Sequence, residues 1–278
     1  MTAAACPREG FLEIEGTRLE YHWLGPGPAA APTLVLLHEG LGCVAMWRDF
    51  PRQLAAATGC GVLVYSRAGY GASDPVPLPR PVSYMHREAL EVLPRVLDAL
   101  EVREAILVGH SDGGSIALIY AGGGQPGGRL RGLALLAPHV FNEQVCVDSI
   151  RAAGEAYAST DLRQRLVRYH GDNVDVAFRG WNDVWLHPDF WHWNIEEYLP
   201  GVRVPVLVLQ GEQDEYGTAR QLEAIRAQVA GPVDTRLLPG CRHAPFRDQP
   251  ERTLRALTDF VAALELPAAT HPRRDCGT

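Results

Sequence analysis

The chain has 278 residues, 46% of them hydrophobic and 21% charged, with a formal net charge of −7. Such a chain can bury a large core without metal or disulfide support. Its acidity, with no Lys/Arg cluster to offset it, argues against nucleic acid or an anionic membrane as the partner. No apolar run approaches the roughly 18 residues of a spanning helix. The first ten residues have neither the basic nor the apolar region of a secretory signal, so a cytoplasmic location is expected.

Residues 11–23 alternate apolar and polar side chains around Glu15-Gly16, the pattern of an exposed antiparallel hairpin. After a Gly/Pro/Ala loop at 25–32 come short, continuous apolar runs at 33–37, 61–65, 105–108, 133–136 and 204–209. Runs of this length and composition fit strands covered on both faces. Helical patterns at 46–58, 83–100, 116–121, 217–229 and 250–264 lie between or after them. Strand alternating with helix predicts an α/β fold with a mostly parallel sheet.

The alternation breaks over 141–199, a polar and aromatic stretch that holds Trp181, Trp185, Trp191 and Trp193. It is far longer than a connecting loop, whose median is about 4–6 residues. The expected organisation is therefore a core from 1–140 and 200–278, with a small helical cap at 141–199. Residues 267–278 read as a frayed tail. Cys6, Cys43, Cys60, Cys146, Cys241 and Cys276 are scattered without metal-ligand spacing. Free thiols, no zinc site and no metal are expected.

The segment that carries chemistry is 105–120, in which a buried-strand run enters Gly109-His110-Ser111-Asp112-Gly113 and then a helical stretch. A sharp strand-to-helix turn exposes the central residue above the sheet, and the flanking glycines avoid collision with neighbouring backbone. The helix that starts after Ser111 aims its N–H groups and positive dipole end at any oxyanion formed there. Serine is a poor nucleophile at neutral pH, so it needs an imidazole to take its proton and a carboxylate to orient that imidazole.

This segment resembles the nucleophile elbow of the α/β-hydrolase superfamily, and the resemblance extends over nearly the whole chain. It implies a Ser-Asp-His order along the sequence. Asp214, in the loop after 204–209, and His243, before the last helix, match the expected acid and base. Glu212, Glu215 and Asp234 compete for the acid, with Glu143 a weaker substitute. His38-Glu39-Gly40-Leu41-Gly42 resembles the oxyanion loop, with Glu39 where glycine is usual. Gly40 or Leu41 would then pair its N–H with that of Asp112.

The elbow is locally similar to that of the biphenyl-hydrolase-like, valacyclovir-hydrolase branch, in which an acidic residue at position 112 favours amino-acid esters. Asp112 also suits the first turn of a helix for dipole reasons alone. Trp181, Trp185 and Trp191 are candidates for an apolar substrate wall, against the alternative of cap-to-sheet packing. The reading that follows is a serine hydrolase, needing no cofactor, for a small carboxylic ester, lactone or thioester. Its partner is a small-molecule acyl substrate. A carbon–carbon bond hydrolase of aromatic degradation, an acyltransferase or perhydrolase, and a ligand sensor on the same fold are the alternatives. Haloalkane dehalogenases and epoxide hydrolases are disfavoured, because those relatives place aspartate where Ser111 stands.

Overall fold

Eight strands form one sheet in the computed structural model, which describes residues 8–124, 126–264 and 266. Cys6, Cys276 and the tail from 267 lie outside the described residues. The strands are β1 (Glu9–Ile14), β2 (Thr17–Leu24), β3 (Thr33–Leu37), β4 (Gly61–Tyr65), β5 (Ala105–His110), β6 (Leu130–Leu136), β7 (Val206–Gly211) and β8 (Val233–Leu238). Their order across the sheet is β1-β2-β4-β3-β5-β6-β7-β8. The β1–β2 and β2–β4 pairings are antiparallel and every later pairing is parallel. Glu15 and Gly16 both have positive φ, 51° and 75°, which closes the β1–β2 hairpin with a two-residue turn of matching twist.

Five central strands, β3 to β7, are buried almost throughout, and their side chains alternate between two apolar layers. Val35, Leu63, Leu107, Leu135 and Val208 face one layer; Leu36, Val64, Val108, Leu136 and Leu209 face the other. This period of two is what a strand dictates, and it explains why the sequence shows unbroken apolar runs there.

The helices are α1 (Phe50–Thr58), α2 (Tyr84–Arg87), α3 (Leu93–Ala99), α4 (Asp112–Gly123), α5 (Gln144–Ser159), α6 (Leu162–His170), α7 (Val174–Trp185), α8 (Arg220–Gln228), α9 (Pro245–Asp248) and α10 (Pro250–Ala263). Side chains of α1 and α10 fill one layer; those of α3, α4 and α8 fill the other. Helices α5, α6 and α7, with 3-10 turns at Pro188–His192 and Glu196–Gly201, occupy the long interval between β6 and β7. Among the described residues no helix is long and apolar enough to cross a membrane. Cys43, Cys60, Cys146 and Cys241 are buried free thiols.

Two sequence expectations are corrected, and one strand lies outside the sequence reading. The helix expected over 83–100 is interrupted by a π turn at Glu88–Val92, where Pro94 supplies no N–H to the preceding turn. The helix expected from 46 begins only at Phe50, after a 3-10 turn at Val44–Trp47 and Arg48 at φ 55°. Strand β8 carries no apolar run, because it pairs on one side only and is half exposed along most of its length.

Candidate active site

Ser111 sits between β5 and α4 at φ 52° and ψ −117°, a conformation that costs a non-glycine residue roughly 1–3 kcal/mol. The surrounding chain enforces it. Ser111 N–H donates to Leu136 O at 2.9 Å, and its carbonyl accepts from Gly114 N at 2.8 Å and Ser115 N at 3.1 Å. A Cβ at Gly109 would collide with the backbone of Gly113, and one at Gly113 with the carbonyl of Leu37. Glycine at both positions is what lets the turn be this tight. The Asp112 N–H, at the start of α4, meets no protein acceptor among the described residues, as expected of the first donors of a helix.

Asp214 leaves the end of β7 and is held by its own loop. Its Oδ1 accepts from Tyr216 N at 2.8 Å and Gly217 N at 3.3 Å, and its Oδ2 accepts from Gln210 Nε2 at 3.2 Å. The same Oδ1 lies 2.8 Å from His243 Nδ1. Burial alone would raise the Asp214 carboxyl, but the charge of His243 and the hydrogen bond to it prevail, and its pKa falls below the ordinary value. Burial depresses His243 in turn; the charge and hydrogen bond of Asp214 outweigh that and hold its pKa above 6.5. Ser111 and His243 line one cavity, with no Ser111 Oγ–His243 hydrogen bond formed.

Of the other acids, Glu215 accepts from His243 N at 3.3 Å and from Arg242 at 2.9 Å, while Asp234 pairs with Arg236 on β8. Glu143 accepts from Thr218 and Gln221, bracing the loop beyond Asp214 rather than meeting His243. Glu212 is exposed.

The loop after β3 is tied down by its carbonyls. Glu39 O accepts from Gly42 N, His38 Nδ1 and Arg67, and Leu41 O accepts from His170 Nε2 on α6 at 3.0 Å. Gly40 N–H and Leu41 N–H meet no protein acceptor among the described residues. The Glu39 carboxylate lines the cavity, 3.3 Å from His110 Nδ1 and 3.4 Å from Arg247. Burial opposes its charge, yet His110 and Arg247 hold its pKa far below the carboxylate range.

The cavity has a volume of about 350 Å³, within the range of small-molecule sites. Helix α7 supplies Trp181 and Trp185, one turn apart, to its wall, and Cys146, Ile150 and Leu166 come from α5 and α6. A Cβ at Gly40 would overlap the Trp181 ring, so the glycine lets this wall close onto the loop. Trp191 does not line the cavity. It is 46% exposed, because its 3-10 turn points Phe190 inward and turns Trp191 to solvent. Trp193 is buried but stacks on Phe190, 5.2 Å away, behind Trp185.

The Asp112 carboxylate also points away from the cavity. It is fully buried, accepts from Tyr84 Oη at 2.5 Å and lies 3.6 Å from Arg67. Tyr84 Oη accepts in turn from Trp185 Nε1 at 3.1 Å, so the charge supports the wall instead of facing a ligand. His139 and Tyr216 line the cavity too, and sequence reasoning did not single them out. The one available signal was their position just after β6 and β7, where sheets of this kind open their clefts. Among the described residues no cluster of His, Cys, Asp or Glu has the arrangement to hold a metal ion.

Comparison with known proteins agrees with the fold. Putative protein-lysine deacylase ABHD14B of Homo sapiens is 24% identical, covering 95% of this chain and all of that protein. Epoxide hydrolase 3 of Xenopus tropicalis is 20% identical over 94% of this chain and 80% of its own length. The crystal structure of a hydrolase from Pseudomonas aeruginosa PA01 superposes with a TM-score of 0.70 at 23% identity, covering 93% of this chain and 100% of that one. The model of the alpha/beta hydrolase family matches residues 34–256. The chain belongs to the alpha/beta hydrolase family.

Proposed function

We propose that this hydrolase cleaves small carboxylic esters, lactones or thioesters through an acyl-enzyme on Ser111. The observation that carries the reading is a strained serine at the start of α4, sharing a cavity with a histidine that a buried aspartate holds at 2.8 Å. His243 takes the proton of Ser111 as its oxygen attacks the acyl carbon, and Asp214 fixes the ring and stabilises the imidazolium. The developing oxyanion meets Asp112 N–H and one of Gly40 N–H or Leu41 N–H. Losing one such donor typically costs about 10²–10³ in turnover. His243 then gives its proton to the leaving group and activates the water that releases the acid.

In this reading 141–199 acts as a cap. Its tryptophans and aliphatic side chains exclude water and favour an apolar acyl group over a long triglyceride. Ser111 stands where epoxide hydrolases of this fold place aspartate, which weighs against epoxide opening despite the name of one relative. The test is a panel of acyl esters and vinylogous diketones, with Ser111→Ala as control. Turnover of esters that vanishes in the variant is expected. Turnover of diketones alone would move the assignment to carbon–carbon bond hydrolysis.

A further inference from the structure

Four histidine side chains are buried among the described residues: His38, His110, His139 and His170. Three of them use both ring nitrogens. His38 meets Glu39 O and Arg67 N, His110 meets Glu39 and His243 O, and His170 meets Gly71 N and Leu41 O. His139 makes no side-chain hydrogen bond: its Nδ1 is sealed from solvent without a partner, and its Nε2, equally unpartnered, is not sealed. A buried polar group left in that state costs about 1–3 kcal/mol, and a phenylalanine of similar shape would avoid the cost.

Slack in the chain does not account for it. Ala137 N donates to Leu209 O at 2.8 Å, and His139 O accepts from Ser115 Oγ at 2.6 Å. Val140 N donates to Gln221 Oε1 at 2.8 Å, and Val140 O accepts from Ile195 N at 2.8 Å. The loop is pinned on both sides, and it presents a fixed ring to the cavity that contains Ser111. That ring stands edge-to-face against Trp185, 5.2 Å between centroids, and 5.7 Å from the ring of His243.

Burial, and next the positive charge of His243, lower the pKa of His139 to about 3. The ring is therefore neutral at working pH, and Nε2, the nitrogen left open to the cavity, donates in one tautomer and accepts in the other. A neutral oxygen substituent suits it: a hydroxyl can do either and a ketone can accept. The reach is set by His243, which must come within about 3 Å of the reacting atoms. A ring 5.7 Å from His243 then meets an atom roughly two or three bonds from the scissile carbonyl.

Building on the proposed esterase reading, we propose that His139 is a substrate-binding residue that selects acyl groups carrying a hydroxyl or ketone oxygen near the β-carbon. Among the described residues His139 is the one side chain of the cavity wall with a sealed nitrogen or oxygen that lacks a partner, and Trp185 beside it would cover the apolar remainder of the acyl chain.

The experiment compares phenyl butanoate with phenyl 3-hydroxybutanoate and phenyl 3-oxobutanoate. Dissociation constants are measured by calorimetry on catalytically silent Ser111→Ala, alone and combined with His139→Phe. The expected result is tighter binding of an oxygen-bearing ester by tenfold or more, with the preference falling to about unity in the double variant. A His139→Gln partner, which keeps hydrogen-bonding capacity, should recover part of the preference. Equal constants for all three esters, no binding of any at millimolar concentration, or a preference that survives His139→Phe would overturn the proposal. Turnover by the wild-type enzyme is read separately: binding preference without hydrolysis would sink the esterase reading and leave the His139 assignment standing.

Discussion

Removing the Asp112 charge separates two roles that the sequence left open. The carboxylate is fully buried, 3.6 Å from an Arg67 side chain that is itself only 2% exposed. At an effective dielectric constant near 20, that separation corresponds to about 4.6 kcal/mol of attraction. Asp112→Asn keeps an acceptor for Tyr84 but deletes the charge, while Glu88 still acts on Arg67. A loss of about 3 kcal/mol is expected, at the lower end for breaking a buried pair. For a chain of this size that lowers Tm by roughly 6–12 °C, which calorimetry or circular dichroism resolves. The ratio of kcat/KM for an aminoacyl ester and its plain acyl counterpart should stay within about threefold of wild type, because the carboxylate does not face the cavity. A variant of unchanged Tm whose aminoacyl preference collapses tenfold or more, about 1.4 kcal/mol, would refute the reasoning.

Other consequences can be checked on single variants. Since catalysis needs neutral His243 and Asp214 raises its pKa, kcat/KM should be lost as pH falls through a value above 6.5; Asp214→Asn should move that limb downward and cut kcat by about 10⁴. Trp181→Ala should raise KM at least tenfold, whereas Trp191→Ala, at a solvent-exposed position, should change stability by less than about 0.5 kcal/mol and leave KM unaltered, as parallel kinetics would show. Ser111→Gly should abolish ester turnover yet unfold at higher denaturant than wild type, by about 1 kcal/mol, because glycine relieves the strain at φ 52°.

What was legible in the sequence follows from where the physics is local. Central strands announce themselves because burial on both faces forbids polar residues along the run, as at Leu34–Leu36 and Leu207–Leu209. The elbow was legible because its pattern is contained in five residues and Gly109 answers a steric demand from Gly113 within them. Strand β8 was not, since Asp234, Thr235 and Arg236 are tolerated on a half-covered edge strand. Side-chain direction was equally hidden. Asp112 turns inward to Tyr84 and Arg67, partners 28 and 45 positions away in sequence, and no local pattern encodes that pairing. Trp191 and Trp185 look alike as letters, but a 3-10 turn exposes one and helix α7 buries the other. His139 acquires meaning only through the absence of a partner, which only a three-dimensional arrangement can reveal.

The central claim is that Ser111 is the nucleophile, and covalent capture tests it most directly. Wild-type protein treated with a serine-directed organophosphonate should gain one adduct, mapped to Ser111 by peptide mass spectrometry, in step with loss of ester turnover. Ser111→Ala, folded by circular dichroism, should take up none. An adduct on any other residue, or full loss of activity with Ser111 unmodified, would contradict the account.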